Sequence, residues 1–181
     1  MIKILAISGS LRRASSNTTL LRALVGLAPA GVAINVYGGL GDLALFNPDL
    51  EGNEPSSVLD LRAQLRRVDG VLIASPEYAH GITGAMKNAL DWLVGSGELE
   101  NKPVALINAS PRATYALASL AEIITTMGGR IIAEASPTVA LLGKNLDAAG
   151  IIAHPEISPT LHNAIVAFAG AVENHRVNSA F

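Results

Sequence analysis

The sequence predicts an α/β domain: a doubly wound, five-stranded parallel sheet in the order 2-1-3-4-5, with helices on both faces. Three observations predict it. Short apolar runs alternate five times with segments of helical spacing. The first and third runs, IKILAIS and VLIAS, read as continuous apolar runs, as strands buried on both faces do. Polar stretches follow the first, third and fourth runs, where open α/β sheets bind their ligands.

IKILAIS (2–8) reads as the first strand, and Leu20, Leu21, Leu24 and Leu27 mark a helix from Asn17 to about Leu27. VAINVY (32–37) is the second strand, and residues 38–56 read as a long loop. Val58, Leu61, Leu65 and Val68 give the second helix, and VLIAS (71–75) the third strand. Met86, Leu90, Leu93 and Val94 share a face of the third helix, before PVALINAS (103–110), the fourth strand. Leu117, Leu120, Ile124 and Met127 give the fourth helix, closed by Gly128-Gly129. RIIAEA (130–135) is the fifth strand. Leu161, Ile165, Phe168 and Val172 give a last helix, with Ser158 as N-cap and Pro159 at its first position. Buried strands joined by helical crossovers require a parallel sheet covered on both sides. The whole chain, 1–181, is expected to form one domain.

Composition excludes several classes. Half of the residues are hydrophobic and 15% are charged, which argues against disorder. A net charge of −2 without a basic run argues against nucleic-acid binding. With no cysteine there is no disulfide framework, thiolate metal site or thiol nucleophile. No apolar run reaches the roughly 18 residues that would span a membrane. The N-terminal apolar stretch is too short for a signal peptide, so a cytoplasmic location is expected. His80, His154, His162 and His175 do not form a spaced metal set and read as surface or structural, with His80 the one to test.

The stretch S-G-S-L-R-R-A-S-S-N (8–17) joins the first strand to the first helix. A helix N-terminus offers free N–H groups and a partial positive charge, so an anion is stabilised there. Ser10, Ser15, Ser16, Asn17 and Thr18 add side-chain donors, and Arg12 adds a full charge with a forked donor set. One residue would suffice to cap the helix; five suit a phosphate monoester. The triphosphate-binding pattern G-x-x-x-x-G-K-[ST] is missing. Gly39-Leu-Gly41-Asp-Leu-Ala44 matches a loose dinucleotide pattern, but Phe46-Asn47-Pro48-Asp49 follows in place of the required helix. These are read as loop glycines.

GSLRRASSNTTLL resembles the G-S-x-R-x-x-S-x-N signature of the NAD(P)H-dependent FMN reductases, and SPEYAHGITGAMKNALDWL resembles their second signature. The two blocks lie about 60 residues apart, after the first and third strands. The resemblance implies a flavodoxin-like fold and hydride transfer from NADPH or NADH through bound FMN. The acceptor would be a small molecule: a flavin, a quinone or the like. It further implies that Ser10, Arg12, Ser15, Asn17 and Thr18 hold the FMN phosphate, with Ser16 beside them. Pro76, Glu77, Tyr78 and Ala79 would form the wall beside the flavin ring, with Ser110 approaching from the other side. No catalytic side chain is expected, since the cofactor carries the chemistry. Tyr78 can also be read as an aromatic anchor, and Glu77 as a salt-bridge partner. Lys87 and Asp91 are spaced as an exposed ion pair. Ala79 stands where the signature has asparagine, Met86 where it has leucine, and Pro111-Arg112 where the family is glycine-rich.

Rival readings are a flavodoxin-type electron carrier, against which the modest charge argues, and a flavin-free regulatory protein of the same fold. A hydrolase would need a G-x-S-x-G elbow, which is absent. A homodimer or homotetramer is expected, because one helix on one sheet should not bury Met86, Leu90, Trp92 and Leu93 together. Residues 137–157 add apolar side chains without clear periodicity. The resemblance places the flavin near a subunit boundary.

Overall fold

The computed structural model describes residues 1–179. Its sheet is parallel throughout, in the order β2-β1-β3-β4-β5. The strands are β1 (Ile2–Ser8), β2 (Val32–Tyr37), β3 (Gly70–Ala74), β4 (Pro103–Leu106) and β5 (Arg130–Ile131). The helices are α1 (Ser16–Leu27), α2 (Ser56–Arg66), α3 (Gly84–Val94), α4 (Thr114–Thr126), α5 (Ala148–Ala153) and α6 (Ile157–Ser179).

Strand side chains alternate between faces, so the apolar runs divide into two cores. Ile4, Ala6, Leu72, Ala74 and Ala105 pack with the buried residues of α1, α5 and α6. Leu5, Ile7, Val71, Ile73, Val104 and Leu106 pack with those of α2, α3 and α4. Both faces are therefore covered, which is why these strands could be apolar without interruption.

The fifth strand is shorter than the sequence suggests. Only Arg130–Ile131 pairs with β4, and a 3₁₀ turn at Ala133–Ala135 replaces the rest of 130–135. Ser136 explains the exit. Its Oγ donates to the Ile132 carbonyl at 2.8 Å and accepts from the Leu106 N–H at 3.0 Å. A side chain thus takes the ladder position that backbone would fill, and β4 ends at Leu106. The chains meet again where the Val139 N–H reaches the Asn108 carbonyl.

Helix α6 starts at Ile157, so Ser158 lies inside it and is not its N-cap. The His154 Nδ1 accepts from the Glu156 and Ile157 N–H groups at 3.3 and 3.4 Å. Pro159 remains within the first turn, where a missing N–H costs little.

The expectation that α3 needs a partner subunit to cover it is also corrected. Met86, Leu90, Trp92 and Leu93 are all buried within the one chain, with Trp92 fully so. The segment 38–50, with two 3₁₀ turns, folds over the outer side of α3. The Ala44 carbonyl accepts from Trp92 Nε1 at 2.7 Å and from Asn88 Nδ2 at 2.9 Å. Phe46 meets the indole edge-on at 5.1 Å. Likewise Val139, Leu141, Ile151 and Ile157 are core residues, not an exposed patch. Gly39 is a loop glycine, as read, with its own reason: a Cβ there would come within 2.7 Å of the Tyr37 hydroxyl.

Asp69 ties α6 to the amino end of the sheet. It accepts from the Lys3 N–H at 2.7 Å and from Arg176 Nη2 and Nε at 2.6 and 3.1 Å. Burial alone would raise its pKa; the hydrogen bonds from Lys3 and Arg176 outweigh it and hold the carboxyl below its ordinary value. Such a group stabilises the fold above its unfolded pKa and loses that contribution as pH falls through the lowered one. Asp69→Asn should cost about 1–2 kcal/mol at about pH 7 by urea unfolding, and the gap from the unsubstituted protein should narrow near pH 3.

Candidate functional site

The carboxyl ends of β1, β3 and β4 open into a cleft of about 310 Å³. The loops that follow these three strands line it, at the point where strand order reverses.

The first loop is fixed by close approach. Gly9 donates its N–H to the Ala74 carbonyl, and a Cβ at Gly9 would fall 2.3 Å from Ser75 Oγ. The buried Thr83 donates its hydroxyl to the Gly9 carbonyl at 2.6 Å and accepts from the Met86 N–H, capping α3. The loops after β1 and β3 are thus joined before any ligand is considered. Ser15 caps α1 by accepting from the Thr18 N–H at 3.3 Å. The N–H groups of Ser16 and Asn17 precede the first helical hydrogen bond and stay available. Asn17 is only 8% exposed, and its side-chain Oδ1 lacks a hydrogen-bond partner. An unpaired buried amide oxygen is costly unless a hydrogen-bond donor meets it. Arg12 lines the cleft with no ion pair among the described residues.

The structure brings together Ser10, Arg12, Ser15, Ser16, Asn17, Pro76, Glu77, Tyr78 and Ser110 around this cleft. Thr18 and Ala79 do not line it. The Thr18 hydroxyl is paired with Ser8 Oγ at 2.8 Å. The lining also includes Ser75, Asn108, Arg112 and Leu142, which the sequence did not single out as ligands. Asn108 and Arg112 stand in the polar stretch after the fourth strand, so that signal was present. Leu142 carried none. The buried Asn108 accepts from the Ser110 N–H at 3.2 Å, and Ser110 Oγ from the Arg112 N–H at 3.2 Å. This presets the third loop.

Ala79 and His80 sit at φ 49° and 59°. Tyr78 and Gly81 exchange both backbone hydrogen bonds, at 3.1 and 3.0 Å. Two left-handed residues between such a pair are the sign pattern of a type I′ turn, which favours asparagine at its first central position. The asparagine of the resembled signature is therefore explained by backbone conformation. Alanine has no side chain to offset that conformation locally.

The donor set fits a flavin mononucleotide. The α1 N-terminus, Asn17, Ser10, Ser16 and Arg12 suit its phosphate, and Pro76, Tyr78 and Ser110 offer walls and polar edges for its ring. Among the described residues no group of three His, Cys, Asp or Glu could hold a metal.

Fold and site together define a nucleotide-cofactor protein of the doubly wound α/β class. The chain belongs to the NADPH-dependent FMN reductase family, whose profile matches residues 2–141. It is 35% identical over 113 residues to a quinone reductase of Escherichia coli strain K12, covering 60% of each chain. It is 38% identical over 112 residues to an NAD(P)H-dependent FMN reductase of Pseudomonas aeruginosa, again 60% of each. The matched part thus spans about 60% of these curated relatives' length. The solved structure of FerB, a flavoenzyme NAD(P)H:(acceptor) oxidoreductase from Paracoccus denitrificans, superposes with a TM-score of 0.87. It has 29% identity, over 97% of this chain and 99% of that one.

Ala79→Asn should raise stability by about 0.5–1 kcal/mol, by relieving the left-handed position. Thermal unfolding checks it; an unchanged midpoint would show that the turn carries no such strain.

Proposed function

We propose that this chain, acting as one domain over 1–181, is an FMN-dependent oxidoreductase that passes reducing equivalents from NADPH or NADH to a quinone or flavin. The observation that carries the reading is the α1 N-terminus in the cleft lining, where the N–H groups of Ser16 and Asn17 are left free by the Ser15 cap and Ser10 and Arg12 stand beside them. Bound FMN would supply the hydride chemistry, accepting a hydride from the nicotinamide and releasing electrons to the acceptor. The chain's own part is to bind, orient and shield.

The α1 N-terminus and Arg12 would neutralise the phosphate and anchor one end of the cofactor. Pro76 and Tyr78 would hold the ring plane from the β3 side. Ser110 and the preset loop 108–113 would meet its polar edge from the β4 side. No side chain is needed to move a proton, and Glu77, the one carboxylate among the described residues that line the cleft, is already engaged by the Ala116 N–H at 2.9 Å.

The site is also read as completed by a second copy of the chain, in a dimer or tetramer. Leu11, Tyr78 and Leu142 line or flank the cleft region and are each more than half exposed, which supports an apolar cover. Among the described residues no helix is long and apolar enough to cross a membrane. A cytoplasmic setting, where reduced nicotinamides are held, suits the reaction.

Reconstitution with FMN, followed by removal of the excess, should give a yellow protein whose turnover of NADPH or NADH under anaerobic conditions requires an added quinone or flavin. A protein that takes up no FMN would overturn the reading. Arg12→Ala should weaken FMN binding by about 1.5–3 kcal/mol, read by flavin fluorescence titration. Unchanged affinity would show that backbone and hydroxyls suffice. Sedimentation at micromolar concentration should show at least twice the 18.7 kDa chain mass.

A further inference from the structure

The wall of the cleft after β3 is tied to the N-terminus of α4 at two points. Glu77 reaches 39 residues along the chain, and its Oε2 accepts from the Ala116 N–H at 2.9 Å. Helix α4 has no cap of its own: its N-cap position is Ala113, which makes no side-chain hydrogen bond. Glu77 thus supplies from another loop the acceptor that a serine or aspartate would supply locally. Its charge also lies at the positive end of the helix dipole. Beside it, the His80 ring stacks on the Tyr115 ring, with centroids 4.4 Å apart and planes inclined by 23°. Both ties grip the same short turn. Between them lies Tyr78, 55% exposed, on the cleft wall.

The turn needs such ties. Its two central residues are left-handed, and one of them is an alanine with no side-chain means of favouring that conformation. A turn of this kind persists only where its surroundings over-determine it. The other side of the clasp is also cleft lining, since Arg112 and Ala113 lead directly into α4. The clasp therefore fixes the separation between the β3 wall and the β4 wall.

We infer that Glu77 and His80 are positioning residues: together with Ala116 and Tyr115 they clasp the 76–81 turn onto α4 and so set the cleft width in which Tyr78 meets the ring and the acceptor. This deepens the FMN reading and rests on it for the ligand readout alone. Glu77 acts through the α4 backbone and His80 through Tyr115, so neither needs to touch the reacting atoms.

Substitutions at the exposed stack separate this role from a general loss of structure. His80→Asn keeps a residue that tolerates the left-handed region but removes the ring. Tyr115→Ala removes the ring from the other side, and Tyr115→Phe retains it. Amide hydrogen exchange in the ligand-free protein reads the clasp itself. His80→Asn, Tyr115→Ala and Glu77→Ala should each speed exchange at Ala116 by roughly 3- to 30-fold, the range of a lost stack or cap. Tyr115→Phe should not. In the FMN-loaded protein, His80→Asn and Tyr115→Ala should each weaken FMN binding about 2- to 10-fold and raise KM for a quinone more than they lower kcat. Their double variant should lose no more than either alone. Unchanged Ala116 exchange in the single variants overturns the clasp, whatever the ligand. Faster exchange with unchanged FMN affinity and KM overturns its role in setting the cleft. Failure of the unsubstituted protein to bind FMN overturns the FMN reading, and with it that role, while the exchange data still decide the clasp.

Discussion

The whole site depends on one close approach, between Gly9 at the end of β1 and Ser75 after β3. Neighbouring parallel strands bring their exits within a few ångströms of each other, and the first loop must turn there without a side chain. The 2.3 Å that would separate a Cβ from Ser75 Oγ leaves no room for one. Thr83 then closes the junction from the far side, holding the Gly9 carbonyl while capping α3. One hydroxyl thereby links the anion-binding loop, the wall loop and a helix. The remaining features of the cleft, from the α1 N-terminus to the left-handed turn, are displayed from this junction.

Electrostatics then follow from what is neutralised and what is not. Glu77 is the carboxylate in the cleft wall, and α4 takes up its charge. Arg12 and Arg112 remain, both exposed, together with the positive end of α1. The cleft is thus prepared for an anion although the chain as a whole carries −2. Charge distribution, and not net charge, decides what such a cleft prefers.

The sheet order, the first three strands, the starts of the last two and the loops that carry the cleft were legible because they depend on local signals; the fourth strand, expected over 103–110, ends at Leu106. Continuous apolar runs mark strands buried on both faces, and polar clusters mark the loops where those strands end. What could not be read depends on partners distant in sequence. The departure at Ser136 requires Leu106 to lie opposite it. The covering of Trp92 requires Ala44 and Phe46, nearly 50 residues away, to fold back over α3. The capping of α4 by Glu77 leaves no mark near α4 itself. Leu142 reaches the cleft only because the chain rejoins the sheet edge at Asn108. That the Thr18 hydroxyl pairs with Ser8 Oγ, at the end of β1, is likewise a product of the fold and has no mark in the composition.

The two-residue β5 has a consequence for how copies of this chain can associate. An open sheet offers unpaired N–H and C=O groups along its outermost strands, a template on which another chain can add. Here that border is nearly erased on one side. After Ile131 the backbone turns into a 3₁₀ segment, and Ser136 occupies the next ladder position. A strand from a neighbour would find two residues to pair with, too few to hold. Growth of the sheet past β5 is therefore closed off, and contacts between copies on that side must form through helices and loops, where side chains can choose the partner.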